Sequence, residues 1–143
     1  MALPIDVGLT RLIVSLALGA VIGIEREMRS SPAGLRTISL VAMGSTLYTL
    51  ASIMMAGPGV DVSRIAAQIV VGIGFIGGGV IFQVKDKMHG LTTAASLWVA
   101  AAIGLMVGIG QYSLAGATAF MCAIMLWFGK YEKRILPHES YGK

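Results

Sequence analysis

Glu25, Arg26, Glu27, Arg29 and Arg36 crowd into one short segment, IEREMRSSPAGLRTISL, residues 24–40. Two chemistries fit residues of these types at these spacings. The acids Glu25 and Glu27 offer the oxygen ligands that a hard divalent cation such as magnesium takes. Arg36, followed by Thr37, suits an anion instead, because the free N–H groups of a helix start attract negative charge. Thr92 and Thr93 stand in the same relation to a second helix start, and all three threonines can cap or line these starts. Beside both stands a plainer reading. The segment is then a solvated loop whose charges orient the chain, with Glu25 and Arg29 paired at i and i+4 on a continuing helix. These residues leave the choice open. A second polar pair, Arg64 and Gln68, is also spaced i and i+4; Arg64 can extend to the headgroups and Gln68 can bond across helices. No zinc spacing, nucleophile elbow, phosphate loop or dinucleotide fingerprint occurs, so no catalytic residue and no resident cofactor is expected, and the chain does not read as an enzyme. A bound magnesium ion or anion at the charged segment is the one exception left open.

The elements that position these residues are apolar. Of 143 residues, 56% are hydrophobic and 13% charged, against about a quarter charged in soluble domains. Residues 12–24, 37–60, 65–84 and 88–129 contain no Asp, Glu, Lys or Arg. A soluble fold of this size cannot bury so much apolar surface. The chain reads as an all-α polytopic membrane protein with about five transmembrane helices, at about 5–24, 35–56, 64–82, 91–107 and 111–129. The long charge-free run divides at GIGQY. Together the spans form one transmembrane domain, 1–135, with a short cytoplasmic tail, 136–143. The lone Cys122 falls within the last span and reads as a small packing residue.

The charges also orient the chain. Arg26, Arg29, Arg36, Lys85, Lys87, Lys130, Lys133, Arg134 and Lys143 fall on one side of a five-span topology, and only Arg11 and Arg64 on the other. Basic residues stay cytoplasmic in short loops, which places the N-terminus outside and the C-terminus inside. The same distribution explains the basic pI of 9.5, so nucleic acid is not an expected partner; the lipid bilayer is. Trp127, Phe128 and Tyr131 suit the inner interface and Tyr112 the outer one. Trp98 lies deeper and is expected to pack.

Glycine recurs at helical spacing in Gly19 and Gly23, Gly74 and Gly78, and Gly104 and Gly108, the pattern that lets helices approach closely in lipid. GIGFIGGGVIF reads as a closely packed helix or one that is locally broken. An internal echo joins the two halves. AGLRT opens the second span and HGLTT the fourth, 56 residues later, aligning Gly23 with Gly79, Gly34 with Gly90 and Thr37 with Thr93. The expected architecture is a duplicated helical hairpin, both copies in one orientation, plus one helix.

LGAVIGIERE, PAGLRTISLVAMGS, RIAAQIVVGIGFIGGGVIF and GLTTAASLWVAAAIGLMVGIGQY resemble the MgtC/SapB family of bacterial inner-membrane proteins, over roughly residues 10–130. The resemblance implies a helical membrane domain of about five spans. It also implies a link to growth at low magnesium and to bacterial survival inside phagocytes. The family's best-known members are thought to act on the membrane ATP synthase or on membrane potential rather than as proven magnesium carriers. The family signature falls on Glu25, Arg26, Arg29, Ala33, Gly34, Leu35, Arg36 and Thr37, on Arg64, Gln68, Gly72, Gly74, Gly77 and Gly79, and on Gly90, Leu91, Thr93, Ala94, Ala95 and Trp98. His89, Thr92 and Gly78 depart from it. Many members add an ACT-like C-terminal domain, which this chain, ending KRILPHESYGK, does not include.

Two functions are expected to compete. One is a regulator that docks other membrane complexes, such as the ATP synthase, or acts on membrane potential. The other is an ion or small-solute transporter or channel for magnesium, phosphate or protons. Five helices are few for a pore, so the second requires a homo-oligomer, most simply a dimer.

Overall fold

The structure, a computed structural model, describes residues 3–135. The helices are α1 (Ile5–Met28), α2 (Leu35–Met54), α3 (Ser63–Gly79), α4 (Leu91–Gly108) and α5 (Tyr112–Ile135), with a small hairpin of β1 (Phe82–Val84) and β2 (Lys87–His89) between α3 and α4. The helical membrane architecture read from the sequence is what the chain forms. Four helices are long and apolar enough to cross a membrane, and α3 is a shorter apolar helix. The tail beyond residue 135 lies outside the described residues.

Helix ends have local causes. α1 continues past Ile24 to Met28 and closes with Ser31 N–H donating to the Arg26 carbonyl and Ser30 N–H to that of Glu27. This is a Schellman ending, with Ser30 in the left-handed position at φ 51 that glycine usually takes. α4 ends the same way: Gln111 N–H donates to Met106, Gly110 N–H to Val107, and Gly110 has φ 86. The break expected at GIGQY is therefore a glycine-dependent C-cap.

α3 stops earlier than the expected span. Three consecutive glycines, Gly77, Gly78 and Gly79, are weak helix formers, and the segment after them pairs as a hairpin with Phe82 opposite His89, Gln83 opposite Met88 and Val84 opposite Lys87. The two end residues stack at 5.5 Å between ring centroids. Spans at 64–82 and 91–107 leave residues 83–90 as a connecting loop, where the chain instead forms this hairpin. Short strands of three residues carry too little period-2 pattern to be distinguished from a loop. Gly90 then needs φ 86, and a Cβ there would overlap the Val80 carbonyl oxygen.

The centre of the bundle is α1, α2 and α4. Ile22, Ile38, Leu97, Ile103 and Val107 are fully buried there, with Ala42 and Ala100. α2 and α4 run parallel in direct backbone contact. Ser45 Oγ donates to the Ala101 carbonyl at 2.6 Å, Thr46 Oγ1 to that of Gly104 at 2.7 Å, and Gly108 lies against Thr49, so residue numbers rise together. α3, between them in sequence, must return the chain across the bundle. α5 packs on α1 and α4. Outside, Ile13, Phe75, Phe120, Met125 and Trp127 are exposed, as lipid-facing side chains are.

The echo at 56 residues has a structural counterpart. In the first hairpin Gly19 meets Ser39 and Gly23 meets Leu35. The offset carries these pairs to positions 75 with 95 and 79 with 91. The contact in the second hairpin, Gly77 with Ala94, falls between them. Ser45 and Ala101, joined by a hydrogen bond, are themselves one offset apart. Gly34 and Gly90 are the N-caps of α2 and α4.

Candidate functional site

α1 carries the charged segment past the apolar core, because its last turn stays helical through Met28. Glu25 and Arg29 are then one turn apart, and Glu25 Oε1 accepts from Arg29 Nε. Its other oxygen, Oε2, accepts from Arg26 Nε and Nη2, each at 2.5 Å. Arg26 is 6% exposed, buried at the helix end. Arg29 Nη2 reaches across to the Leu126 carbonyl at 3.2 Å, so this cluster ties α1 to α5. Glu27 turns the other way. Its Oε2 accepts the Leu35 N–H at 3.0 Å, which places a carboxylate at the free N–H end of α2.

The two acids are therefore committed. Both oxygens of Glu25 face guanidinium groups, and a second cation there would be repelled by them. Glu27 occupies the α2 start that an external anion would need. Among the described residues no group of three or more His, Cys, Asp and Glu could hold a metal ion. The magnesium site conceivable from the paired acids does not fit these donors.

Arg36 is different. It is exposed on the first turn of α2 and makes no hydrogen bond or ion pair among the described residues. Thr37 and Thr92 are exposed beside their helix starts, whereas Thr93 is 3% exposed and belongs to the interior. The N-cap residues of α2 and α4 are both glycine, Gly34 and Gly90, so neither caps its own helix with a side chain. The eight residues thus separate into a structural clamp (Glu25, Arg26, Arg29), an internal cap (Glu27), a packing residue (Thr93) and three exposed groups (Arg36, Thr37, Thr92).

The glycine pairs also separate. A Cβ on Gly19 would lie 2.9 Å from Ser39 Cα, on Gly23 2.7 Å from Leu35 Cα, and on Gly108 2.5 Å from Thr49 Cβ; on Gly104 it would overlap the Ala42 carbonyl oxygen. Gly74 and Gly78 have no atom within 4 Å of such a Cβ. Among the described residues they pack against nothing, and Gly77 makes the contact with Ala94 of α4 instead. The reason is rotational: α3 turns Gly77 and Ile73 inward, which leaves Gly74 and Gly78 facing out.

Arg64 and Gln68 lie exposed along α3. Gln68 makes no hydrogen bond across helices among the described residues, contrary to expectation. Asp61 organises the start of α3, accepting from Ser63 Oγ at 2.7 Å and from Ser63 N–H at 2.9 Å. These two bonds hold its carboxyl below the usual range. Trp98, expected to pack, is 54% exposed.

Several working residues were not singled out from the sequence. Ser45, Thr46 and Thr49 form the polar seam of the α2–α4 contact, and their i, i+4 spacing with Ala42 and Ser45 was the available signal. Arg11 Nη1 donates to the Gly108 carbonyl at 2.6 Å, placing a cation at the C-terminal end of α4. Its isolation within an apolar run was the clue.

A bundle of apolar helices with lipid-facing outer side chains, a polar clamp at one end and no metal cluster among the described residues defines an all-α polytopic membrane protein. The chain belongs to the MgtC family, whose sequence profile matches residues 12–135. It is 44% identical over 122 residues to an Escherichia coli K12 protein named "Putative magnesium transporter YhiD", covering 80% of this chain and 56% of that one. It is 46% identical over 119 residues to Protein MgtC of Salmonella typhimurium LT2, covering 80% and 50%, and 46% over 108 residues to Protein MgtC of Brucella abortus, covering 75% and 45%. The chain spans about half the length of these relatives. No solved structure matches it.

Proposed function

We propose that this chain is the membrane domain of a magnesium-linked regulator, which acts by lateral contact with other membrane complexes or on membrane potential. The observation that carries this reading is the bare face of α3. Gly74 and Gly78 present backbone with nothing against it among the described residues, and small-residue faces of this kind let a second helix approach closely in lipid. The ATP synthase is the partner class that the family resemblance favours. The acids committed to arginines and to the α2 start weigh against a magnesium-carrying role for that cluster. Co-purification in mild detergent, read by mass spectrometry, is expected to recover a membrane complex with the wild type and to lose it with Gly74→Leu/Gly78→Leu. An unchanged partner set in that variant would remove the basis for this reading.

The domain sits in the bacterial inner membrane with its N-terminus outside and its C-terminus and Arg36 on the cytoplasmic side, following the distribution of basic residues. A cysteine introduced as Arg36→Cys is then expected to react with an impermeant reagent from the cytoplasmic side alone.

One observation favours a second reading, an oligomeric transporter of magnesium, phosphate or protons. The parallel α2 and α4 hairpins have the repeat relation found in transporters. In that case Arg36, exposed and without an ion-pair partner among the described residues, is the residue that meets the solute. Proteoliposome flux of magnesium, phosphate or protons should then fall with Arg36→Ala. Flux equal to protein-free vesicles would sink the transporter.

A further inference from the structure

We propose that the groove between α2 and α3 is a binding site for one phospholipid of the leaflet beside the α2–α3 loop, with its phosphate at Arg64 and an acyl chain between the helices. The groove has a volume of about 870 Å³ and lies open on the side of the bundle. Three of its polar groups, Arg64, Tyr48 and Gln68, gather toward the end beside the α2–α3 loop. Ser52 Oγ donates to the Val62 carbonyl at 2.6 Å, which sets the two antiparallel helices level at that point. Counting from there, Arg64 comes first and Gln68 lies one turn deeper, with Tyr48 of α2 at a depth between them. All three line the groove and carry N–H or O–H donors, and no acid lines it. Beyond them the walls are mainly apolar, with Ile69, Ile73 and Ile76 on one side and Leu40 and Val41 on the other; Ser45 spends its hydroxyl on the Ala101 carbonyl, and Thr37 stands at the far end.

This order matches the order of groups along a phospholipid. A guanidinium takes a phosphate in a forked geometry that suits it better than a point charge. An amide one turn deeper meets the ester oxygens, and the apolar stretch takes a chain. An exposed glutamine facing bare hydrocarbon would leave its donors unmet, at a cost of a few kcal/mol in an apolar medium. An occupant with oxygens at that depth removes the cost. Gly44 on α2 and Gly72 on α3 both line the groove, and a Cβ on either meets no atom within 4 Å. They keep the groove wide while contributing nothing to packing inside the protein. Gly74 and Gly78 lie about 200° around α3 from Gly72 and Ile76, so the lipid and a docked membrane complex use opposite faces of this helix.

Native mass spectrometry of protein purified from membranes in mild detergent is expected to show one phospholipid per chain. Gly72→Leu, where an added Cβ meets no atom within 4 Å, puts a side chain into the groove and should lower that occupancy about tenfold; Gly78→Leu, off the groove, should retain it. Where Gly72→Leu does not fold, as judged by its melting curve, Gly44→Leu on the opposite wall serves. Arg64→Ala should weaken retention of added dioleoyl phosphatidylglycerol while the groove stays intact. Inorganic phosphate should not displace the lipid, having no chain for the apolar walls. Equal lipid occupancy in wild type and folded Gly72→Leu overturns the proposal. Displacement by phosphate alone also overturns it, as does a wild-type dimer that becomes monomeric in Gly72→Leu without any change in lipid.

Discussion

Gly104→Leu should break the contact between α2 and α4 and cost about 3 kcal/mol or more, at the upper end of overpacking penalties. The first added atom already overlaps the Ala42 carbonyl oxygen and lies 2.8 Å from Ser45 Cβ. The obstacle is backbone, so no rotamer change relieves it and the helices must separate. Separation also breaks the hydrogen bonds from Ser45 to Ala101 and from Thr46 to Gly104, each worth about 0.6 kcal/mol in a membrane bundle. Reversible unfolding in mixed micelles measures the loss. Gly78→Leu, with open space around its Cβ, is the control and should stay within about 0.5 kcal/mol of wild type. A small effect at Gly104 would mean that α2 and α4 are not in backbone contact.

The second large effect is expected at Glu25. Glu25→Gln keeps the shape and removes the counter-charge of Arg26, whose side chain is 8% exposed against 18% for Glu25. Breaking a buried pair costs about 3–5 kcal/mol because a charge is left unmatched. At the end of the bundle water relaxes part of that, so about 2–3 kcal/mol is expected. Glu25→Gln/Arg26→Met should recover part of the loss, since it removes the buried charge that Glu25→Gln leaves unmatched. Arg29 should also lose its fixed position against the Leu126 carbonyl of α5. A double-mutant cycle followed by thermal melting checks this. If the double variant is no more stable than Glu25→Gln, the pair is not the source of the stability.

The two charged residues that the sequence grouped together thus behave differently. Glu25 holds helices in place, and its loss should be seen first in stability. Arg36 makes no hydrogen bond or ion pair among the described residues, so loss of function on Arg36→Ala at unchanged stability would mark it as a contact with something outside. Residue type and spacing could not make this distinction. Both are charged residues at helix ends in one short segment, and only the path of α1 through Met28 places one among arginines and leaves the other bare.

The groove and the glycines repeat the lesson. Gly74 and Gly78 have the same spacing as Gly104 and Gly108, and a small residue every fourth position states only that a helix could approach. Which helix does so depends on how each is rotated about its axis, and that is set by the whole bundle. α4 turns its glycines onto α2. α3 turns Ile73 and Gly77 inward and leaves the other pair outside.

The sequence by itself determined the membrane class, the helix count and most helix boundaries, because burial in lipid is a property of each segment's composition and glycine caps are local. It also carried the 56-residue echo, which recurs in the glycine N-caps of α2 and α4. Tertiary structure alone decided what the polar residues do. The acids' partners, the threonine seam, Arg11 at the end of α4 and the donors lined up along the α2–α3 groove all depend on which side chains meet across helices, and a buried charge or hydroxyl takes its role from the partner that satisfies it.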